Sequence, residues 1–203
     1  MKQIIHIHWG NVFPNVETLY EYLQQKEYNP LEEKKSWHEW IKKEVSSKYQ
    51  YFRPDMPNSK MANYPARKIW FEKLFPYLDE EGVILIGHSL WGTFLLKYLS
   101  ENTFPKKIHQ LHLVAPCLDE QDMPKFEDYL GDFSFNPIYI SNIPAQTEKI
   151  FLYHSKDDTT VPYSQAERLS KLLPSAKMLT FQDRGHFKQE NFPELLENIL
   201  QDS

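Results

Sequence analysis

The chain has 203 residues, enough to bury a full core as a single domain over residues 1–203 without disulfides or a structural metal. A net charge of −5 argues against a nucleic-acid surface and against attraction to anionic lipid. Cys117 is the only cysteine, the amino terminus has no apolar core of signal-peptide length, and no apolar run reaches the ~20 residues of a membrane span, so a cytoplasmic protein is expected.

Residues 3–8 form a short β-rich run ending in Trp9-Gly10-Asn11, which predicts a first strand and a turn. Residues 16–25 place Val16, Leu19, Tyr20 and Leu23 on one helical face after Pro14-Asn15. Residues 36–45 predict a second helix with Trp37, Trp40 and Ile41 on one side, and residues 48–52 a strand cut off by Pro54. A Pro- and Asn-rich loop follows. It leads to a helix over about 66–78 with Ile69, Trp70, Leu74 and Tyr77 on its apolar face.

Residues 83–86 are a short apolar run between glycines, with the length of a buried parallel strand. Beyond Gly87-His88-Ser89, apolar residues recur with helical spacing at Leu90, Trp91, Phe94, Leu95, Tyr98 and Leu99. Strands are predicted over 108–115, 149–153 and 177–181, and helices over 164–173 and 192–199. Residues 118–145 form the least regular region, punctuated by prolines. Strands and helices alternate throughout without an internal repeat. That predicts an α/β fold: a three-layer α/β/α sandwich whose doubly wound, mostly parallel sheet has about six strands.

Ligands of such sheets sit beyond the carboxyl ends of the strands. Three reactive side chains fall there: Ser89, an aspartate of the Asp157-Asp158 pair, and His186. A serine hydroxyl is a weak nucleophile until a base takes its proton. Imidazole is such a base near neutral pH, and a carboxylate fixes its tautomer. The serine stands at a sharp strand-to-helix turn, and the order Ser…Asp…His is that of the α/β-hydrolases.

Gly87-His88-Ser89-Leu90, Asp158-x-x-Val161-Pro162, Gly185-His186-Phe187 and a His-rich first-strand end together resemble the α/β-hydrolase superfamily. The likeness is to its small serine hydrolases, the family of retinoblastoma-binding protein 9 and its bacterial relatives, and it spans nearly the whole chain without an inserted lid domain. The resemblance implies Ser89 as nucleophile, His186 as general base and acid, and Asp158 as the carboxylate. Asp157 is the competing carboxylate and Asp119 a distant third. It implies an oxyanion hole from the Leu90 amide and an amide of Trp9 or Gly10, with His8 shaping that loop. It also implies small acyl substrates such as esters, no cofactor and no metal, and leaves a monomer or a homodimer open.

One residue departs from the pattern. The family places a small residue two positions after the nucleophile, where strand and helix backbones nearly touch. This chain has Trp91 there, with Gly92 one residue later. The indole either opens that packing and displaces Ser89, or turns outward as an aromatic wall of the substrate pocket. The second class of function is therefore a degenerate hydrolase fold that binds a small molecule or a protein without turnover. His6-x-His8 has the alternation of a metal pair but lacks a partnered carboxylate or cysteine. Cys117 reads as structural, and Trp37, Trp40 and Trp70 read as core.

Overall fold

The computed structural model describes residues 1–7, 11–31, 35–58, 60–125 and 129–201. Six strands, β1 (Gln3–Ile7), β2 (Gln50–Phe52), β3 (Val83–His88), β4 (Ile108–Val114), β5 (Thr147–Ser155) and β6 (Lys177–Phe181), form one sheet in the order β2-β1-β3-β4-β5-β6. Every pairing is parallel. The helices are α1 (Val16–Gln25), α2 (Trp37–Val45), α3 (Tyr64–Glu72), α4 (Leu90–Glu101), α5 (Tyr163–Leu172) and α6 (Pro193–Leu200).

Alternation along the strands divides the core into two layers. Ile5, Ile7 and Leu85 face α3, α4 and α5, whereas Ile4, Ile84 and Ile86 face α2 and α6. The result is a three-layer α/β/α sandwich. The chain runs from β1 outward to β2 and returns across β1 to β3, so the strand order reverses between β1 and β3. A crevice opens at such a switch point, beyond the carboxyl ends of the strands. No helix among the described residues is long and apolar enough to cross a membrane.

Two helices turn differently from the expectation. In α1 no residue is buried, and Val16, Tyr20 and Leu23 are exposed. The helix is held instead by the Phe13–Tyr22 ring contact and a Glu21–Lys125 ion pair. In α3, capped by Asn63, the buried face is Tyr64, Arg67 and Phe71, while Ile69 and Trp70 are exposed. An arginine occupies a core position there, so an apolar count places the face one residue off. The Arg67 guanidinium lies 4.6 Å from the Trp91 ring and 4.9 Å from that of Phe133. It also donates to the carbonyls of Asn58 at 2.7 Å and Met61 at 3.0 Å. Burial draws its pKa down to about 10, still charged at neutral pH.

A buried polar network joins the sheet to α6. Gln110 donates from Nε2 to the Asn198 carbonyl, so its Oε1 accepts from His112 Nε2–H at 2.7 Å. His112 Nδ1 then accepts from the Tyr153 hydroxyl at 2.9 Å, which itself accepts from Asn198 at 3.0 Å. Burial pushes the pKa of His112 down to about 3, so the ring is neutral in the folded chain. The unfolded chain takes up a proton near pH ~6.5. This contribution is therefore intact above that pH and is lost as pH falls from about 6.5 towards about 3. The slope from this one group is about 1.4 kcal/mol per pH unit. Urea unfolding across that range should show a shallower slope in His112→Gln than in wild type, by about one proton. An unchanged slope would remove His112 from the acid lability.

Candidate active site

The β3–α4 turn is shaped by close backbone approach. Ser89 has φ 57° and ψ −131°, a left-handed, strained conformation for a residue with a side chain, and its amide donates to the Val114 carbonyl at 2.8 Å. A Cβ added to Gly87 would lie 2.6 Å from the Trp91 carbonyl and 2.9 Å from Gly92 Cα. One added to Gly92 would lie 2.8 Å from Pro116 Cβ. The tight crossing of strand and helix is thus met by Gly87 and Gly92. Trp91 takes neither expected course: it turns into the core, fully buried against Arg67, Phe94 and Phe133. It is no wall of the substrate pocket, which corrects that expectation. Ser89 keeps the elbow geometry because the crossing needs its small residue at Gly92.

The loop after β5 presents the acid. Asp158 Oδ1 accepts from the Thr160 amide at 2.8 Å and the Val161 amide at 2.9 Å, and Oδ2 accepts from His186 Nδ1 at 2.8 Å. Burial alone would push the Asp158 carboxyl up. The His186 hydrogen bond and charge, with the two amides, outweigh it and hold the carboxyl below its ordinary range. His154, fully buried behind it, donates from Nε2 to the Val161 carbonyl at 2.8 Å and closes the turn.

Asp157 has a different task. Its Oδ1 accepts from the Ser155 hydroxyl at 2.5 Å and from the Gly185 amide at 2.9 Å, while the Arg184 amide donates to Ser155 Oγ at 3.0 Å. The carboxylate is held low by the Ser155 hydroxyl first and then by the Gly185 amide. It ties down the loop that carries His186. Asp119, after β4, pairs with Arg168 at 2.7 Å instead.

The structure therefore brings Asp158 and His186 into direct contact and sets Ser89 on the neighbouring turn, where the His88 ring lies 4.9 Å from that of His186. Among the described residues, Ser89 Oγ makes no hydrogen bond to the His186 ring. Leu90 opens α4, where leading amides have no intrahelical carbonyl. The other oxyanion candidates, Trp9 and Gly10, and His8 beside them, lie outside the described residues.

Ser89 opens onto a small cleft bounded by Val12, Cys117, Met123, Leu130 and Val161. Burial, and next the Asp119 charge, push the Cys117 thiol up to about 12, so it lines the cleft as a neutral group rather than a second nucleophile. His6 is engaged with the Tyr51 hydroxyl and with His38. Among the described residues, no group of three or more His, Cys, Asp or Glu is arranged to hold a metal ion.

Comparison with known proteins fits this geometry. The rat serine hydrolase RBBP9 is 26% identical over 164 residues, which cover 79% of this chain and 82% of that relative. The structure of the ydeN gene product from B. subtilis superposes with a TM-score of 0.73 at 20% identity, covering 98% of this chain and 97% of that one. A meta-cleavage product hydrolase from Pseudomonas fluorescens gives a TM-score of 0.66 at 12% identity, over 98% and 89% of the two chains. The model of the serine hydrolase family matches residues 28–199, a stretch that holds the elbow and both loops facing it, and the chain belongs to that family.

Proposed function

We infer that this hydrolase is a cytoplasmic carboxylesterase-like enzyme acting on small acyl substrates through Ser89, His186 and Asp158. The observation that carries the reading is the 2.8 Å bond from His186 Nδ1 to a buried carboxylate. With Nδ1–H committed to Asp158, Nε2 is left as the basic nitrogen that a nucleophilic serine needs. Ser89 attacks the carbonyl carbon and His186 takes its proton. The alkoxide of the tetrahedral intermediate is met by the Leu90 amide at the head of α4 and, as the family resemblance implies, by the amide of Trp9 or Gly10. His186 then returns the proton to the leaving group, and water repeats the sequence on the acyl-enzyme. The Ser89–His186 hydrogen bond forms on substrate binding, as catalytic hydrogen bonds tighten in the complex.

The cleft is small, its described lining sets Asn11 and Tyr129 beside Val12, Met123, Leu130 and Val161 without a charged side chain, and the thiol in it is neutral, which favours a short, uncharged acyl group. No cofactor or metal enters this chemistry. A fluorophosphonate probe tests the reading without a guess at the substrate. Wild type should label, and Ser89→Ala and His186→Ala should not. A p-nitrophenyl ester series should then fall off from acetate and butyrate towards longer chains. An unlabelled wild type would sink the hydrolytic reading and leave a binding protein on a hydrolase fold.

A further inference from the structure

The loop that carries His186 closes one bond of its own, from the Phe187 amide to the Arg184 carbonyl at 2.9 Å, and the carbonyls of His186 and Phe187 find partners elsewhere. Gly185 and Phe187 both have positive φ, 49° and 52°, and the second is unusual for a bulky side chain. Such a backbone persists only where its surroundings hold it. The partners come from two residues that the mechanism leaves unused. Trp37, the first residue of α2, donates from its indole Nε1–H to the Phe187 carbonyl at 2.9 Å. Its own amide donates to the Gln189 carbonyl at 3.1 Å. His88, the residue before the nucleophile, has Nε2 at 3.1 Å from the His186 carbonyl. A carbonyl only accepts, so Nε2 of His88 carries its proton.

The same two side chains also form a stack behind the base. The His88 and His186 rings lie 4.9 Å apart and are tilted by 35°, and the Trp37 ring meets His88 edge-on at 5.7 Å. His38 fills the corner, 3.9 Å from the Trp37 ring and 5.2 Å from that of His88. Asp157 holds the loop from its other side through the Gly185 amide. The His186 imidazole is thus set in place by one donor on its own carbonyl, one on the Phe187 carbonyl and one neighbouring ring, quite apart from its bond to Asp158.

We propose that Trp37 and His88 are positioning residues for His186: they pin the carbonyls of His186 and Phe187 and so fix where the imidazole stands relative to Ser89 and Asp158. This rests on the reading of His186 as the general base. Neither residue touches the reacting atoms. Trp37 spans 150 positions of sequence to reach the loop, which couples the start of α2 to the base.

The test pairs kinetics with a readout independent of turnover. Trp37→Phe removes the indole N–H and keeps an aromatic ring, His88→Leu removes the donor, and His88→Gln restores one. With a short p-nitrophenyl ester, Trp37→Phe and His88→Leu should lower kcat by about ten- to a hundredfold with KM within about twofold, and His88→Gln should recover most of it. In parallel, the low-field proton NMR signal of the His186–Asp158 hydrogen bond, identified by its loss in His186→Gln, should be sharp in wild type. It should broaden by exchange in Trp37→Phe and His88→Leu. A low-field signal and kcat that match wild type in both variants, whatever happens to Tm, would overturn the proposal, since packing alone would then explain both residues. If wild type fails to react with the fluorophosphonate but the signal still broadens, the positioning role stands and the hydrolytic reading falls.

Discussion

Replacing Trp91 by glycine, the residue type that the family pattern calls for, should destabilise the protein rather than repair it. The indole is fully buried and its position is not the one that strand and helix need empty. Truncating a buried Trp to Ala costs about 3–5 kcal/mol, and a glycine inside a helix adds about 1 kcal/mol. The Arg67 guanidinium would also lose one of the two rings it lies against. A buried cation–π contact contributes about 2 kcal/mol. Its remaining partners are the Phe133 ring and the carbonyls of residues 57, 58 and 61. Urea unfolding of Trp91→Gly should therefore show a fall of about 4 kcal/mol or more at similar m-value, a large part of the stability of an ordinary domain. Gly92→Ala is the informative companion. It adds only one methyl, yet that methyl would stand 2.8 Å from the rigid Pro116 ring, so the elbow itself must shift. Loss of fluorophosphonate labelling is expected there. A Trp91→Gly protein as stable as wild type would mean that the indole is an incidental passenger.

The sheet was legible because each strand is a short run rich in aliphatic and aromatic residues, and all six lie within a few residues of where the pattern puts them. The candidate site residues could be picked out because they stand just past strand ends, where backbone turns expose side chains. What stayed hidden depends on direction and on long-range contact. Trp91 could be placed on a helix from its sequence, but its heading follows from Gly92 taking the crossing, which is a three-dimensional fact. The α3 face was missed because its central core residue, Arg67, is charged and counts as polar until aromatic rings are seen around it. The exposed stripe of α1 has the periodicity of a buried face, and periodicity alone does not say which side meets the body. Trp37 was legible as core, yet its bond to the Phe187 carbonyl leaves no local signature. Two adjacent aspartates were distinguishable only by family position, because either one could cap the turn.

Those aspartates carry the sharpest contrast in the proposed site. Asp158→Asn should lower kcat by about ten-thousandfold, the magnitude known for the same change in a Ser-His-Asp protease. The amide keeps one oxygen for the Thr160 and Val161 amides and presents its NH2 to His186 in place of Oδ2. His186 Nδ1 must then accept. The ring is driven to the tautomer with its proton on Nε2, and it has no lone pair left for the Ser89 hydroxyl. Asp157→Asn keeps the carbonyl oxygen that the Ser155 hydroxyl and Gly185 amide use, so its loss should stay within about threefold, at the scale of one exposed hydrogen bond. Asp157→Ala removes that acceptor and loosens the loop. It should fall between the two, with the deficit in kcat rather than KM, because the residue holds the base and does not touch the substrate. The three rates of inactivation by a fluorophosphonate rank the variants without reference to any substrate. The order expected is Asp157→Asn fastest and Asp158→Asn slowest. The reverse order would move the carboxylate role to Asp157 and make Asp158 a turn residue that happens to lie beside the histidine.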